Sequence, residues 1–256
     1  MIEREYDPLK ILFLDIETKA SVIKTWGLYD ITAGLNQIIS RGTVICWAAK
    51  WHDSQDIIFD SEWTSSHKRM IKHMWNLLNE ADVVCHYNGQ AFDMKELNRQ
   101  FLLQELPPPS PYKQLDLLRV IKRNFRFISN KLDNVSQELG IGSKIKHSGM
   151  DLWNDVEKKD ANARKLMQKY NEQDTLLLEK LYNKLLPWLG GYINHNSYTS
   201  LVVCPTCGSN HLNKRGFQKS NTRTYQRWRC MSCGSWSRSS NSIKSETKSN
   251  SVISIR

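Results

Sequence analysis

The first 190 residues switch between two hydrophobic periods, short apolar runs alternating with stretches of helical spacing. "KILFLDIET", "GTVICWAAKW" and "DIIFDS" read as strands that form a meander, and "ADVVCHYN" as a further strand. Residues 67–79, "HKRMIKHMWNLLN", place Met70, Ile71, Met74, Leu77 and Leu78 on one helical face. "FDMKELNRQFLLQ" predicts a second helix, broken by "PPPSP" at 107–111. "YKQLDLL" reads as a short strand or a strand-to-helix joint. Downstream the pattern is helical: "KLDNVSQEL" ended by Gly140, then "MDLWNDV", then Asn162 to Leu189. Strand-like and helix-like segments in this order predict an α/β or α+β domain.

Two charges interrupt the first strand. Side chains alternate faces along a strand, so Asp15 and Glu17 project together, roughly 7 Å apart along the backbone. Ile11 and Phe13 share their face, and Leu12, Leu14 and Ile16 line the other. Neighbouring carboxylates on an apolar strand repel each other and resist desolvation, a cost that a divalent cation removes. Two further acids stand in related settings. Asp93 in "HYNGQAFDMKEL" falls near the start of a helix, where the dipole favours negative charge. Tyr170 and Asp174 in "KYNEQDTLLLEKLY" are four apart, on a helical face that continues through Leu177, Leu178 and Leu181 toward the core. A buried Asp needs a partner.

In that order, "FLDIET", "YNGQAFD" and a late "YxxxD" resemble the three motifs of the DEDD family of 3'-to-5' exonucleases, within the ribonuclease H-like superfamily. The resemblance covers about residues 8–190 and implies a mixed sheet flanked by helices. It implies that Asp15, Glu17, Asp93 and Asp174 bind two Mg2+ or Mn2+ ions, and that Tyr170 orients the attacking water. The subfamilies differ by a His five before the last Asp or a Tyr four before it; with Lys at 169 and Tyr at 170, the match is to the tyrosine type. "HYNGQAFDMKEL" also resembles the second motif of family B polymerase proofreading domains. By the same resemblance, backbone at Thr18 meets the terminal 3' hydroxyl. Asn88 and Phe92 either contact the terminal nucleotide or are a turn residue and a core residue. Asp116 is read as the cap of a following helix rather than as another site acid. Lys144 and Lys146, with His147, sit on a glycine-bounded loop that either binds phosphate or is simply solvated. The segment "KASVIKTWGLYDITAGLNQ" departs from the commonest relatives; Trp26 and Tyr29 there either shape a substrate channel or pack ordinarily.

Composition adds a second module. Hydrophobic residues make up 40% of the 256 and charged residues 24%, as in soluble globular chains. The net charge of +10 is uneven: residues 200–256 hold ten Lys or Arg and one acid, Glu246, against 26 basic and 25 acidic residues before them. That concentration points to a polyanion, above all nucleic acid. Cys46 and Cys85 read as buried free thiols. Cys204, Cys207, Cys230 and Cys233 form two C-x2-C pairs separated by 22 residues, a spacing for one Zn2+ that makes His211 unnecessary as a ligand. The segment resembles the zinc ribbons of some transposases and transcription proteins. Its Lys214, Arg215, Lys219, Arg223, Arg227 and Arg229 alternate with Phe217, Tyr225 and Trp228, a mixture suited to phosphates and to stacking on single-stranded bases.

The expected organisation is an exonuclease domain over 1–190, a linker over 191–200, a zinc ribbon over 201–238 and a disordered tail over 239–256. The expected activity is 3'-to-5' exonucleolytic hydrolysis, with DNA favoured over RNA and single-stranded 3' ends as substrate. A nucleic-acid-binding or assembly protein on a nuclease-like fold, and a structure-specific endonuclease or RNase, are the alternatives. The ribbon is expected to aid nucleic-acid binding or to meet a protein partner. No membrane helix or signal peptide is expected, which predicts a cytoplasmic protein, and the ribbon suggests a phage or mobile-element setting.

Overall fold

The apolar run at the first motif becomes the centre of a five-stranded sheet. The computed structural model describes residues 8–27, 29, 31–52 and 54–243, so most of the expected disordered tail, 244–256, lies outside the described residues. Strands are β1 (Ile11–Thr18), the short β2 (Val22–Ile23) and β3 (Ile38–Ser40), β4 (Val44–Trp51) and β5 (Ile58–Ser61). Helix α1 (His67–Glu80) leads to β6 (Val83–His86), and α2 (Asp93–Leu103) to β7 (Lys113–Asp116). Helices α3 (Leu117–Asn124), α4 (Leu132–Glu138), α5 (Met150–Glu157) and α6 (Ala161–Leu185) follow, then strands β8 (Leu212–Lys219), β9 (Thr224–Cys230) and β10 (Trp236–Arg238). The described residues divide into two compact units, one of Lys10–Leu181 and one that holds residues 182–243.

In the first unit the sheet runs β5-β4-β1-β6-β7. The expected meander is present: β1 pairs antiparallel with β4, and β4 with β5. β6 pairs parallel with β1 and β7 parallel with β6, which makes the sheet mixed. Parallel neighbours need crossovers, and α1 and α2 supply them. Ser66 caps α1 by accepting from the Arg69 N–H at 3.3 Å, and the five apolar positions expected on its buried face are all buried. Leu12, Leu14 and Ile16 pack with α1 and α2 on one side of the sheet. Ile45 and Cys46 meet Leu152, Val156, Met167 and Tyr170 of α5 and α6 on the other. Cys46 and Cys85 are buried free thiols.

The segment after Thr18 differs from a plain loop. A register shift between Glu17 and Thr18 ends the regular pairing, and β2 and β3 then pair as a short antiparallel ribbon of β-branched residues. Trp26 and Tyr29 are exposed at its outer part, so ordinary packing does not account for them.

The second unit is built on the cysteine pairs. Asn196 accepts from the Val203 N–H and donates to the Val203 carbonyl, tying residues 194–203 into the unit. β8, β9 and β10 form an antiparallel sheet in the order β10-β9-β8. Each C-x2-C pair closes a tight turn, the Gly208 N–H donating to the Cys204 carbonyl and the Gly234 N–H to that of Cys230. Both glycines take positive φ, +72° and +79°, which a side chain would strain. Among the described residues, no helix is long and apolar enough to cross a membrane.

Candidate active site

β1 delivers Asp15 and Glu17 to the face of the sheet covered by α6, and α6 turns Tyr170, Asn171 and Asp174 back toward them. Ligand oxygens of Asp15, Glu17 and Asp174 all lie within 4.8 Å of one another. Asp93, the first residue of α2, is buried but stands outside that trio of close oxygens. Its charge still reaches both strand acids and helps to raise them.

Burial, then the charges of Glu17, Asp174 and Asp93, hold Asp15 well above the usual carboxylate range. Burial and the Asp174 charge push Glu17 up to about 8. Asp93 rises to about 7, through burial and the charge of Asp116. Asp174 is raised chiefly by burial, and its Oδ1 is buried without a hydrogen bond. A buried carboxylate oxygen without a hydrogen bond, set among other acids, suits a cation ligand. The acids thus fit hard divalent cations, which take oxygen ligands.

Among the described residues, Lys144 brings a positive charge into the cluster by hydrogen bonds. Its Nζ donates to Asp174 Oδ2 at 2.5 Å and to the Tyr170 hydroxyl at 3.1 Å. Asp133 fixes this loop by accepting from the Lys144 backbone N–H at 2.7 Å. The loop is therefore anchored at Lys144 rather than simply solvated, whereas Lys146 is exposed. His147 lies edge-on to Tyr170 and Trp153, with ring centroids at 4.8 and 5.1 Å. Burial and the Asp174 charge hold the Tyr170 hydroxyl above its ordinary range.

Asp116 caps α3, accepting from the Leu118 N–H at 3.0 Å, as its sequence setting predicts. The same Oδ1 accepts from the Asn88 N–H at 2.9 Å and fixes the turn before α2. Asn88 has φ of +65°, a turn residue's conformation, while Phe92 is half-exposed and not a core residue. Gly89 lets this turn close: a Cβ there would sit 2.8 Å from Asp93 Oδ2 and 2.6 Å from the His86 ring. A cavity of about 440 Å3 opens beside Asp15, lined in part by Asn88, Tyr87, Leu132 and Lys144. A second, of about 400 Å3, opens beside Glu17 and Thr18 and is walled by Met150 and Trp153.

Sequence reasoning missed Asn171. Its Nδ2 donates to Asp15 Oδ2 at 2.6 Å and to the Asp15 carbonyl at 3.2 Å, so it aims the first carboxylate. The signal was present: Asn171 falls on the buried stripe of Met167, Tyr170, Asp174, Leu177 and Leu178, where a polar residue calls for a partner.

In the second unit, the Sγ atoms of Cys204, Cys207, Cys230 and Cys233 lie within 4.8 Å of one another. Two of their separations are 3.7 Å, the edge of a tetrahedron with Zn–S bonds of about 2.3 Å. Against burial, the backbone N–H groups of Cys233 and Ser232 lower Cys230 to about 7, which favours the thiolate, whereas burial raises Cys207 and Cys233 and leaves their thiolates in need of a cation. The set fits zinc.

A model of the RNase H superfamily matches residues 12–186. The chain belongs to that superfamily. Its sheet and flanking helices have the RNase H-like architecture, a nuclease fold. No curated protein matches the chain. Among solved structures, it is similar to the family B DNA polymerase of the hyperthermophilic archaeon Pyrobaculum calidifontis, with a TM-score of 0.54 and 18% identity. The match covers 86% of this RNase H-like chain but 32% of the polymerase, so the chain spans about a third of that protein's length.

Proposed function

We propose that the chain is a metal-dependent 3'-to-5' exonuclease of the tyrosine DEDD type, acting on single-stranded 3' ends with DNA favoured over RNA. The observation that carries this reading is the convergence of the Asp15, Glu17 and Asp174 oxygens to within 4.8 Å of one another, with the Lys144 ammonium hydrogen-bonded to Asp174 at their edge. The likeness of "HYNGQAFDMKEL" to the second motif of family B proofreading domains, and the fold shared with a family B polymerase, support it.

Bound Mg2+ or Mn2+ would supply the charge that makes hydroxide available near neutral pH and stabilises the leaving oxygen. Asp15, Glu17 and Asp174 hold that charge, with Asp93 completing the set at its edge, and Asn171 keeps Asp15 aimed. The Tyr170 hydroxyl orients the attacking water; raised above its ordinary value, it is a hydrogen-bonding group rather than a base. With the acids holding metal, the Lys144 ammonium would be available to a phosphate oxygen of the substrate, and the exposed Lys146 would add a more distant cation. Asn88 and Thr18 border the cavities in which the terminal nucleotide is received, and the half-exposed Phe92 ring offers a packing surface for it. Residues 1–190 form the catalytic domain and 201–238 a zinc ribbon that aids nucleic-acid binding, joined through 191–200.

The test is digestion of 3'- and 5'-end-labelled DNA and RNA with Mg2+ or Mn2+. Stepwise shortening from the 3' end, lost in Asp15→Ala and Asp174→Ala, is expected. Equal cleavage of a circular substrate would sink the exonuclease assignment.

A further inference from the structure

Residues 201–243 contain no Asp or Glu, and the three-stranded sheet gathers Arg227, Arg229 and Arg238 on one face. Arg227, Arg229 and Tyr225 alternate on β9, and the β10 partners of Arg229 and Arg227 are Trp236 and Arg238. Arg227 and Arg238 are thus directly opposed like charges, a destabilising pairing that a bound anion would relieve. The guanidinium groups of Arg227 and Arg229 lie 4.8 and 5.7 Å from the Trp236 ring centre, and that of Arg238 lies 3.9 Å from the Tyr225 ring centre. Arg227 Nε donates to the Arg215 carbonyl at 2.9 Å and an Arg238 terminal N–H to the Ser239 carbonyl at 3.1 Å. One donor of each is thereby fixed and the rest of each planar fork is available. Arg227, Arg229 and Arg238 are all exposed.

The other face differs. Lys214 and Trp228 are partners there, Lys219 faces Thr224, and the half-buried Trp228 indole donates to Ser239 at 3.1 Å. The sequence expectation that Tyr225 and Trp228 stack on bases is revised: one ring is covered by a guanidinium and the other is turned to the inner side of the unit. Stacked, pre-aimed guanidiniums match phosphate oxygens, and they lie over the Tyr225 and Trp236 rings of this face; Phe217, the third aromatic expected to stack, is exposed on the other.

We propose that the Arg227, Arg229 and Arg238 face is a nucleic-acid backbone site that grips phosphates of single and double strands alike. The proposal rests on the ribbon's role in the function proposed above and sharpens it to one face and one chemistry.

The experiment uses the full zinc-loaded chain carrying Asp174→Ala, so that no substrate is consumed, and polarisation of labelled single-stranded and duplex DNA across about 50 to 200 mM salt. Arg227→Ala with Arg229→Ala is compared with Lys214→Ala with Lys219→Ala, which removes the same charge from the opposite face. The arginine pair should weaken binding to both DNAs roughly tenfold or more and lower the log–log salt slope by about two, at slightly under one per phosphate. The lysine pair should change the slope by less than half as much, and Arg227→Lys with Arg229→Lys should preserve it with full zinc content. An equal effect from both pairs, or an unchanged slope in the arginine pair, overturns the proposal. So does a Trp236→Ala chain that loses single strands while keeping duplex, because that is base stacking. Equal competition by poly-glutamate would also overturn it, as a protein-directed surface. None of these measurements requires hydrolysis: a wild-type chain that binds this way without digesting DNA refutes the nuclease reading alone.

Discussion

The crowded carboxylates make the metal-free protein less stable as pH rises, which is the opposite of ordinary salt-bridged acids. An unfolded Glu17 titrates at its ordinary value of 4.5, whereas burial and the charge of Asp174 push the folded side chain up to about 8. Between those two values the folded state binds more protons than the unfolded state, so the free energy of unfolding falls with pH across that window. Stability is full below about pH 4.5 and the loss is complete above about pH 8. At 1.36 kcal/mol per tenfold, Glu17 taken alone would cost roughly 5 kcal/mol. That value already contains the offset from Lys144; because the acids share their protons and titrate as a group, the single-residue figure is discounted to a net loss of roughly 3 kcal/mol. For a unit of this size that is roughly 6 to 12 °C in Tm. The assay is scanning calorimetry of the zinc-loaded chain in buffers stripped of other divalent ions, at stepped pH, with and without Mn2+. The Mn2+ stabilisation should grow with pH, because the metal binds the ionised acids and repays their mutual repulsion; it reaches about 4 kcal/mol at a thousandfold excess over Kd. Glu17→Gln should flatten the metal-free profile. A wild-type Tm that holds constant or rises from pH 5 to 8 without metal, or the same slope in Glu17→Gln, would falsify the reasoning.

Gly89→Ala should press a methyl group into the His86 ring and the Asp93 carboxylate; we expect a stability loss of roughly 1 to 3 kcal/mol and slower hydrolysis, read by thermal melts and end-label digestion. Asn171→Leu should release Asp15 from its 2.6 Å hydrogen bond and cut metal affinity or activity by about 10- to 100-fold, measured by Mn2+ titration; unchanged Mn2+ affinity and rate would show that Asn171 has no aiming role. Cys204→Ser should lose zinc and DNA affinity, since the small unit has little apolar core of its own; circular dichroism should retain the signal of the α/β unit, and full zinc retention would count against the four-thiolate site.

The sequence was most informative where the physics is local. The alternation of apolar faces in β1 separated Leu12, Leu14 and Ile16 from Asp15 and Glu17, and the chain packs them to opposite sides as that period requires. The stripe in α1 and the cap at Asp116 are also contacts within a few residues, and both appear where they were expected. The paired cysteines carry their metal spacing in the primary structure, and the two turns close on the glycines that follow.

Tertiary structure decided what depends on distant partners. Residues 15 and 171 are joined by a hydrogen bond across 156 positions, and no local period reports that the amide faces the carboxylate. Lys144 looked like a loop cation until the fold placed its ammonium against Asp174, 30 residues away, where three acids need a positive charge. Trp26 and Tyr29 are apolar enough to be core residues, yet the β2–β3 ribbon leaves them exposed, because burial is settled by what the rest of the chain brings alongside. The basic content of the ribbon was plain from composition; only strand register could put Arg227 opposite Arg238 and turn the lysines to the other face. A strand's own period is set by its backbone, whereas the electrostatic field at a side chain sums over neighbours that only folding assembles.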